Sequence, residues 1–278
     1  MKVNASTFKI EFNLFALNFT KFTFIDIQIS MNSGYIAVLD SGIGGISVLS
    51  ELVKNCNRER FIYLGDNKNA PYGNRTKFDL MRLAMKNVDQ IKRYEIKALV
   101  LACNTLSVNL LREIREYSGV TVFGIFPPIE RCAMSGKRIL LLATESTAEN
   151  YRQINLSNVD VVGLKHLVKD IEQNAHNLDR LNVIDSILKG YTGKLRFSRG
   201  YYDTIILGCT HYFFVKNKIL DHFRPQKIES GNKFTIFNVE NFLQNNKSSV
   251  KQKENNVLFI GDSAESNRLF FENSGQNT

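Results

Sequence analysis

The stretch Tyr35-Ile-Ala-Val-Leu-Asp-Ser-Gly-Ile-Gly-Gly-Ile-Ser-Val-Leu49 decides how the chain is read. Its first five residues form an unbroken apolar run, the pattern of a strand covered on both faces. A glycine-rich turn follows, and then Ile46, Leu49 and Val53 recur at the spacing of one helix face. Working outward, further short apolar runs predict strands at Arg60–Leu64, Ala98–Ala102, Val120–Ile125, Arg138–Ala143, Val159–Leu164 and Thr204–Leu207. Thr76 is the expected N-cap of a helix whose apolar face is Phe78, Met81, Met85, Val88 and Ile91. Strands alternating with helices at this pace predict an α/β fold of mainly parallel sheets.

Four of the apolar runs end in compact polar motifs: Asp40-Ser41-Gly42, Gly65-Asp66-Asn67, Cys103-Asn104-Thr105 and Cys209-Thr210-His211. In open α/β sheets, ligands bind beyond the carboxyl ends of the strands, so these groups are expected to converge on one cleft. Asp40 to Gly45 has neither the G-x-G-x-x-G order nor the lysine of a phosphate loop. It reads instead as a tight turn in which glycine permits positive φ. Asn67 to Gly73 is a turn-rich loop with backbone groups free to meet a polar ligand.

The composition bounds the class. A length of 278 residues predicts about two domains, and 44% hydrophobic with 23% charged residues is ordinary for a globular chain. No run approaches the ~18 apolar residues of a membrane helix. The net charge of +9 is spread among acidic residues rather than gathered in a stripe, which argues for solubility and against a nucleic-acid surface. Its densest patch, Lys247 to Lys253, reads as a solvated loop. Met1 to Ser30, with Phe8, Phe12, Phe15, Phe19, Phe22 and Phe24 among charged residues, has no secretory pattern. Met31 is the expected natural start, with an added edge strand or helix as the other reading.

Four cysteines without C-x-x-C spacing do not make a disulfide scaffold and fit a reducing cytoplasm. Cys56 and Cys132 read as buried and inert. Cys103 and Cys209 stand 106 positions apart in similar settings, Lys97-Ala-Leu-Val-Leu-Ala-Cys-Asn-Thr105 and Asp203-Thr-Ile-Ile-Leu-Gly-Cys-Thr-His211. This is a weak internal repeat that offers one thiol per half. Two thiols across a cleft suit redox exchange, a metal site, or paired acid and base work that inverts a stereocentre. His166, His176 and His222 show no metal-ligand spacing.

The ordered set of Asp40-Ser-Gly-Ile-Gly-Gly-Ile-Ser-Val-Leu49, Gly65-Asp-Asn67 with Pro71-Tyr-Gly73, Ala102-Cys-Asn-Thr105, Gly124-Ile-Phe-Pro-Pro128, Leu141-Leu-Ala-Thr144, Leu207-Gly-Cys-Thr-His211 and Gly261-Asp262 resembles the glutamate racemases. These belong to the cofactor-independent aspartate/glutamate racemases. The resemblance implies two pseudo-symmetric α/β lobes with the active site in the cleft between them. Residues 34–129 and 213–278 would form the first lobe and 130–212 the second, with 1–33 an N-terminal extension.

By that resemblance Cys103 removes the α-proton of D-glutamate and Cys209 that of L-glutamate. Asp40 assists the first thiol and His211 the second, with Asp66 and Glu172 as further acidic catalytic positions. Asp40, Ser41, Tyr72, Gly73, Asn104, Thr105, Thr144, Thr147, Thr210 and His211 are the implied substrate contacts. No metal or cofactor is implied, and the partner is a small acidic amino acid rather than nucleic acid or membrane. A cytoplasmic enzyme supplying D-glutamate for peptidoglycan is the expected setting. Family members often form homodimers. A racemase of aspartate or another acid is the alternative reading.

Overall fold

The computed structural model describes residues 34–154, 156–175, 200–246 and 256–274. The readings of residues 1–33, including a start at Met31, and of the Lys247–Lys253 loop lie outside the described residues. In chain order the first half gives β1 (Tyr35–Asp40), α1 (Ile46–Asn55), β2 (Arg60–Gly65), α2 (Lys77–Ile91), β3 (Ile96–Leu101), α3 (Asn104–Ser118) and β4 (Thr121–Gly124). After α4 (Ile129–Ala133) come β5 (Ile139–Ala143), α5 (Glu145–Arg152), β6 (Val159–Gly163), α6 (Leu167–Gln173) and β7 (Thr204–Gly208). A 3₁₀ segment (Thr210–Val215), α7 (Lys216–Phe223) and β8 (Lys227–Ser230) follow. Then α8 (Asn232–Asn245), β9 (Asn256–Phe259) and α9 (Ala264–Ser274) close the described chain.

All strand pairings are parallel, in two sheets ordered β4-β3-β1-β2-β9 and β6-β5-β7-β8. With β9 set aside, the two orders are the same: β2-β1-β3-β4 in one and β6-β5-β7-β8 in the other. In each, the chain steps to one side of its first strand and then crosses to the other. That reversal opens a crevice at the strands' carboxyl ends. Asp40 and Cys103 flank the first crevice, Thr144 and Cys209 the second. The weak repeat in the sequence thus corresponds to equivalent positions after β3 and β7.

The central strands form because their apolar runs are covered on both faces, whereas the edge strands β4 and β6 are only partly buried. Ile36 to Leu39, Ile139 to Ala143 and Ile205 to Ile206 are fully buried. One apolar cluster joins the sheets, combining Ile36 and Val38 of β1 with Leu140 and Leu142 of β5, Leu207 of β7, and Tyr212. Two smaller clusters cover the outer faces, around Leu99, Leu101 and Leu106 in one sheet and Leu141 and Ile206 in the other. At roughly 1.5–3 kcal/mol per buried aliphatic side chain, the shared cluster resists parting of the halves.

Three expectations change. First, the strand at Lys227–Ser230 pairs with β7, so the second sheet continues past the return expected near residue 213. That strand and β9 escape pattern reading because they are four-residue edge strands without a buried apolar run. Second, Thr76 does cap α2, its hydroxyl accepting from the Asp79 N–H at 3.1 Å. The buried stripe, however, is Leu80, Leu83, Ala84, Asn87, Val88 and Ile91, while Phe78 is 78% exposed. Burial of Leu80, Leu83, Ala84, Val88 and Ile91 orients the helix, and on the same face Asn87 reaches the Tyr72 hydroxyl at 3.0 Å. Third, the positive-φ glycines among the described residues are Gly119, Gly136, Gly200 and Gly261, none of them in the Asp40–Gly45 turn.

Candidate active site

Gly42 and Gly44 of that turn, and Gly73 in the loop after β2, are required by close approach instead. A Cβ on Gly42 would run into the Glu172 carboxylate, one on Gly44 into the His211 ring and Thr210 hydroxyl, and one on Gly73 into Thr144. Each collision is with a side chain from the second sheet's half of the chain. The glycines therefore let the two halves close until their polar groups touch.

What closes between them is a narrow cavity, with room for little more than one water, lined by Ser41, Tyr72, Gly73, Cys103, Asn104, Thr105, Thr144, Cys209, Thr210 and His211, with Pro71 and Val168. Both thiols line this one cavity. Asp40, Asp66, Thr147 and Glu172 do not reach its wall and act behind it. Pro71 and Val168 escape a reading based on chemistry because their side chains carry no polar group. Val168 enters from α6, whose motif is the loosest of the set.

Cys103 caps α3, so its sulfur faces the helix N-terminus. Burial pushes the thiol up to about 12, reinforced by the charge of Asp40 and opposed by hydrogen bonds from the Leu106 N–H and the Ser41 hydroxyl. It is therefore a protonated thiol at neutral pH. Asp40, fully buried at the end of β1, accepts the Gly42 N–H at 2.9 Å and the Thr210 hydroxyl at 3.2 Å. Burial raises its carboxyl above the ordinary range, although His211 and these two donors pull the other way. A buried carboxylate of raised proton affinity is suited to receive a proton.

Cys209 is handled differently. It precedes the Thr210–Val215 segment, with its sulfur 3.8 Å from His211 Nδ1. On the far side of the ring, His211 Nε2 stands 2.6 Å from Glu172 Oε1. Burial alone would lower the affinity of His211 for its proton. The hydrogen bonds to Cys209 and Glu172 and their charges outweigh it and hold the imidazole well above its ordinary value. The chain Cys209–His211–Glu172 is thus a thiol with an imidazole base and a carboxylate behind it.

A raised histidine pKa contributes stability in full below its unfolded value of about 6.5, and that contribution is lost as pH rises through the raised value. The melting-temperature advantage of the native chain over Glu172→Gln is accordingly expected to shrink as the buffer moves from neutral into the alkaline range. A constant or growing advantage in thermal denaturation would contradict this assignment.

The remaining acidic position, Asp66, turns away from the thiols. It accepts the Tyr72 hydroxyl at 2.6 Å, the Asn69 amide at 2.8 Å and the Asn87 amide at 3.3 Å. Its carboxylate thereby fixes Tyr72 in the cavity wall. Thr147 likewise acts through another residue, bonded to Thr144 at 3.1 Å, while Thr144 meets Thr105 across the cleft at 3.0 Å. The fully buried Tyr63 donates to the Gly42 carbonyl at 2.5 Å and braces the turn from beneath. Neither Tyr63 nor Asn87 is singled out by sequence, since both sit inside ordinary strand and helix patterns.

Comparison with known proteins decides the lineage. The profile of the Asp/Glu/hydantoin racemase family matches residues 36–232. The chain belongs to that family. A glutamate racemase of Clostridium acetobutylicum is 33% identical over 225 residues, covering 77% of this chain and 86% of the relative. Among solved structures, a glutamate racemase of Thermus thermophilus superposes with a TM-score of 0.69 at 26% identity, covering 88% of this chain and 94% of its own. A glutamate racemase isoform of Bacillus anthracis superposes with a TM-score of 0.71 at 24% identity, covering 88% and 94%. The racemase fold thus spans both sheets. No helix among the described residues is long and apolar enough to cross a membrane.

Proposed function

We infer that the protein is a glutamate racemase that interconverts L- and D-glutamate by proton transfer at the α-carbon between two thiols. The observation that carries this reading is the convergence of Cys103 and Cys209 on one cavity from equivalent positions in two like-ordered sheets. In the L to D direction His211 takes the proton of Cys209, and the imidazolium is held by Glu172. The Cys209 thiolate removes the α-proton while the Cys103 thiol delivers its own to the opposite face. The products are D-glutamate, a Cys209 thiol and a Cys103 thiolate, so the reverse reaction begins from the state the forward one leaves. Asp40 receives the Cys103 proton when D-glutamate binds first.

The carbanion needs stabilisation without a delocalising cofactor, which falls to hydrogen-bond donors fixed before the reaction. Asn104 and Thr105 supply such donors, Ser41, Thr144 and Thr210 line the site with hydroxyls held by Cys103, Thr147 and Asp40, and Tyr72 and Gly73 complete the substrate contacts. Closure of the halves over the substrate excludes water, which strengthens each of these interactions. Asp66 and Thr147 serve by holding Tyr72 and Thr144. The division into two lobes, one built on each sheet, follows the same reading. So do a cytoplasmic setting, a supply of D-glutamate for peptidoglycan, and a homodimer.

Purified protein with glutamate in heavy water is expected to give product carrying deuterium at Cα, read by mass spectrometry. Product that keeps its original hydrogen in most molecules excludes the two-thiol route. The choice of substrate is tested by circular-dichroism assays of glutamate and aspartate side by side. Turnover of aspartate with none of glutamate would assign the chain to the sibling activity.

A further inference from the structure

Behind the catalytic groups, the carboxylate of Glu172 is shared between the two halves of the molecule. Its Oε1 takes the Ile43 N–H at 2.8 Å as well as His211 Nε2 at 2.6 Å. Its Oε2 takes the Asn67 amide at 3.1 Å. Ile43 and Asn67 follow β1 and β2, whereas Glu172 and His211 belong to the second half, so the carboxylate bridges the cleft. The bare Cα of Gly42 makes room for it.

Asn67 is a specific choice at this place. Its amide can present either a donor or an acceptor, and only the donor satisfies a carboxylate. The other end of the same amide, Oδ1, is buried without a hydrogen-bond partner among the described residues. An orphaned acceptor is a cost that a folded chain seldom bears without return. The return here is a fixed donor on Glu172, whose outer side otherwise opens to a cavity that Asn67 lines with Lys169, Gln173, Ser266 and Phe270. Without that donor the carboxylate keeps the Ile43 N–H and His211 on Oε1 but loses the bond that fixes its second oxygen.

We propose that Asn67 is a positioning residue through which the first half holds Glu172 against His211, so that the acid–base partner of Cys209 is complete only when the halves are closed. The proposal rests on the two-thiol reading and adds to it a coupling between closure and chemistry. Ionisable groups that sense this carboxylate are His211 directly, with Asp40 and Tyr63 of the first half. Cys209 lies beyond the imidazole and Lys169 on the cavity side. Asn67 itself bonds Glu172 and shares the outer cavity with Lys169.

The test is a titration of the full-length protein labelled with ¹⁵N-histidine, with the His211 ring assigned by its loss in His211→Asn. Asn67→Leu keeps the shape and removes the donor, and is expected to move the His211 titration to lower pH by about half a unit or more, since separation of the charges weakens the pair. Asn67→Asp adds a negative charge beside the pair and is expected to move it to higher pH. If Asn67→Leu does not fold, Asn67→Ala takes its place in the same titration with the same expected direction. The limb of the kcat/KM profile that reports His211 should follow the ring in each variant, a readout that a merely structural role would leave in place. An unmoved His211 in the donorless variant, with a shift in Glu172→Gln, overturns the role of Asn67 and leaves the two-thiol reading standing. An unmoved His211 in both would show that the Glu172 pair itself does not govern the imidazole, and would overturn the proposal together with that part of the mechanism.

Discussion

Cys103→Ala and Cys209→Ala are each expected to lower racemisation by at least ~10³-fold, in both directions, with near-native melting and far-ultraviolet spectra. The size follows from removing a positioned acid or base, typically worth 10²–10⁴-fold, in a reaction that has no other group on that face. Both directions must fall together. The enantiomers of glutamate are equally stable, so kcat/KM is bound to be the same for each, whichever thiol is lost. The fold tolerates the change because each thiol is a small buried group at a strand end, outside the strand ladders.

The variants also separate the faces. In heavy water, Cys103→Ala retains the Cys209–His211–Glu172 unit and is expected to exchange the α-hydrogen of L-glutamate slowly without inverting it. Cys209→Ala is expected to do the same with D-glutamate. Proton NMR of each enantiomer reads the exchange. Racemisation surviving at a tenth of the native rate in either variant, or exchange of the wrong enantiomer, would falsify the assignment of the two faces.

Gly44→Ala is expected to have the second largest effect, although the added group is a single methyl with no chemistry of its own. That methyl meets the His211 ring and the Thr210 hydroxyl, and both side chains are buried and held by further bonds. An overpacked core typically costs about 1–3 kcal/mol of stability, and a displacement near 1 Å in an acid–base unit can cost ~10² in rate. The expected outcome is a folded protein with kcat/KM lower by about 10²-fold or more and a modestly lowered melting temperature. The left-handed Gly119 offers a control, since nothing lies within 4 Å of a Cβ there. Gly119→Ala strains the backbone and lowers stability while kcat/KM stays near native. Native activity in Gly44→Ala would mean that the halves need not approach as closely as the turn allows.

The parts of this fold that pattern reading reaches share one property. Runs such as Tyr35–Leu39 and Ile139–Ala143 are apolar at every position because both sheet faces are covered, and such a run has one comfortable home. The edge strands β8 and β9 carry no such mark, so the crossing from second sheet back to first is displaced from where the motifs suggest. In α2, two neighbouring apolar stripes were available to a helix. The one that faces inward carries Leu80, Leu83 and Ala84 and brings Asn87 to Tyr72, contacts that exist only in the packed structure.

The site divides along the same line. Side chains that touch the cavity are drawn from polar motifs at strand ends, so their types and order are visible in the chain. Asp66 shows the limit: a carboxylate after a strand reads as catalytic, and its bonds to Tyr72, Asn69 and Asn87 are visible only in the tertiary structure. Tyr63 and Val168 carry no signal in isolation, and Asn67 stands in a visible motif without its partner being legible there, because their importance lies in what they face.

By itself the amino-acid order determined the layered architecture, the inventory of two thiols with acid–base neighbours, and the lineage. These depend on local periodicity and on which groups are present. Tertiary structure alone decided that Glu172 crosses 129 positions to Ile43, that the glycines serve contact rather than turning, and that each thiol has its own kind of partner. Such facts belong to distances between remote residues and to the loss of solvent around them. Proton affinity and close packing take their values only after the chain has closed.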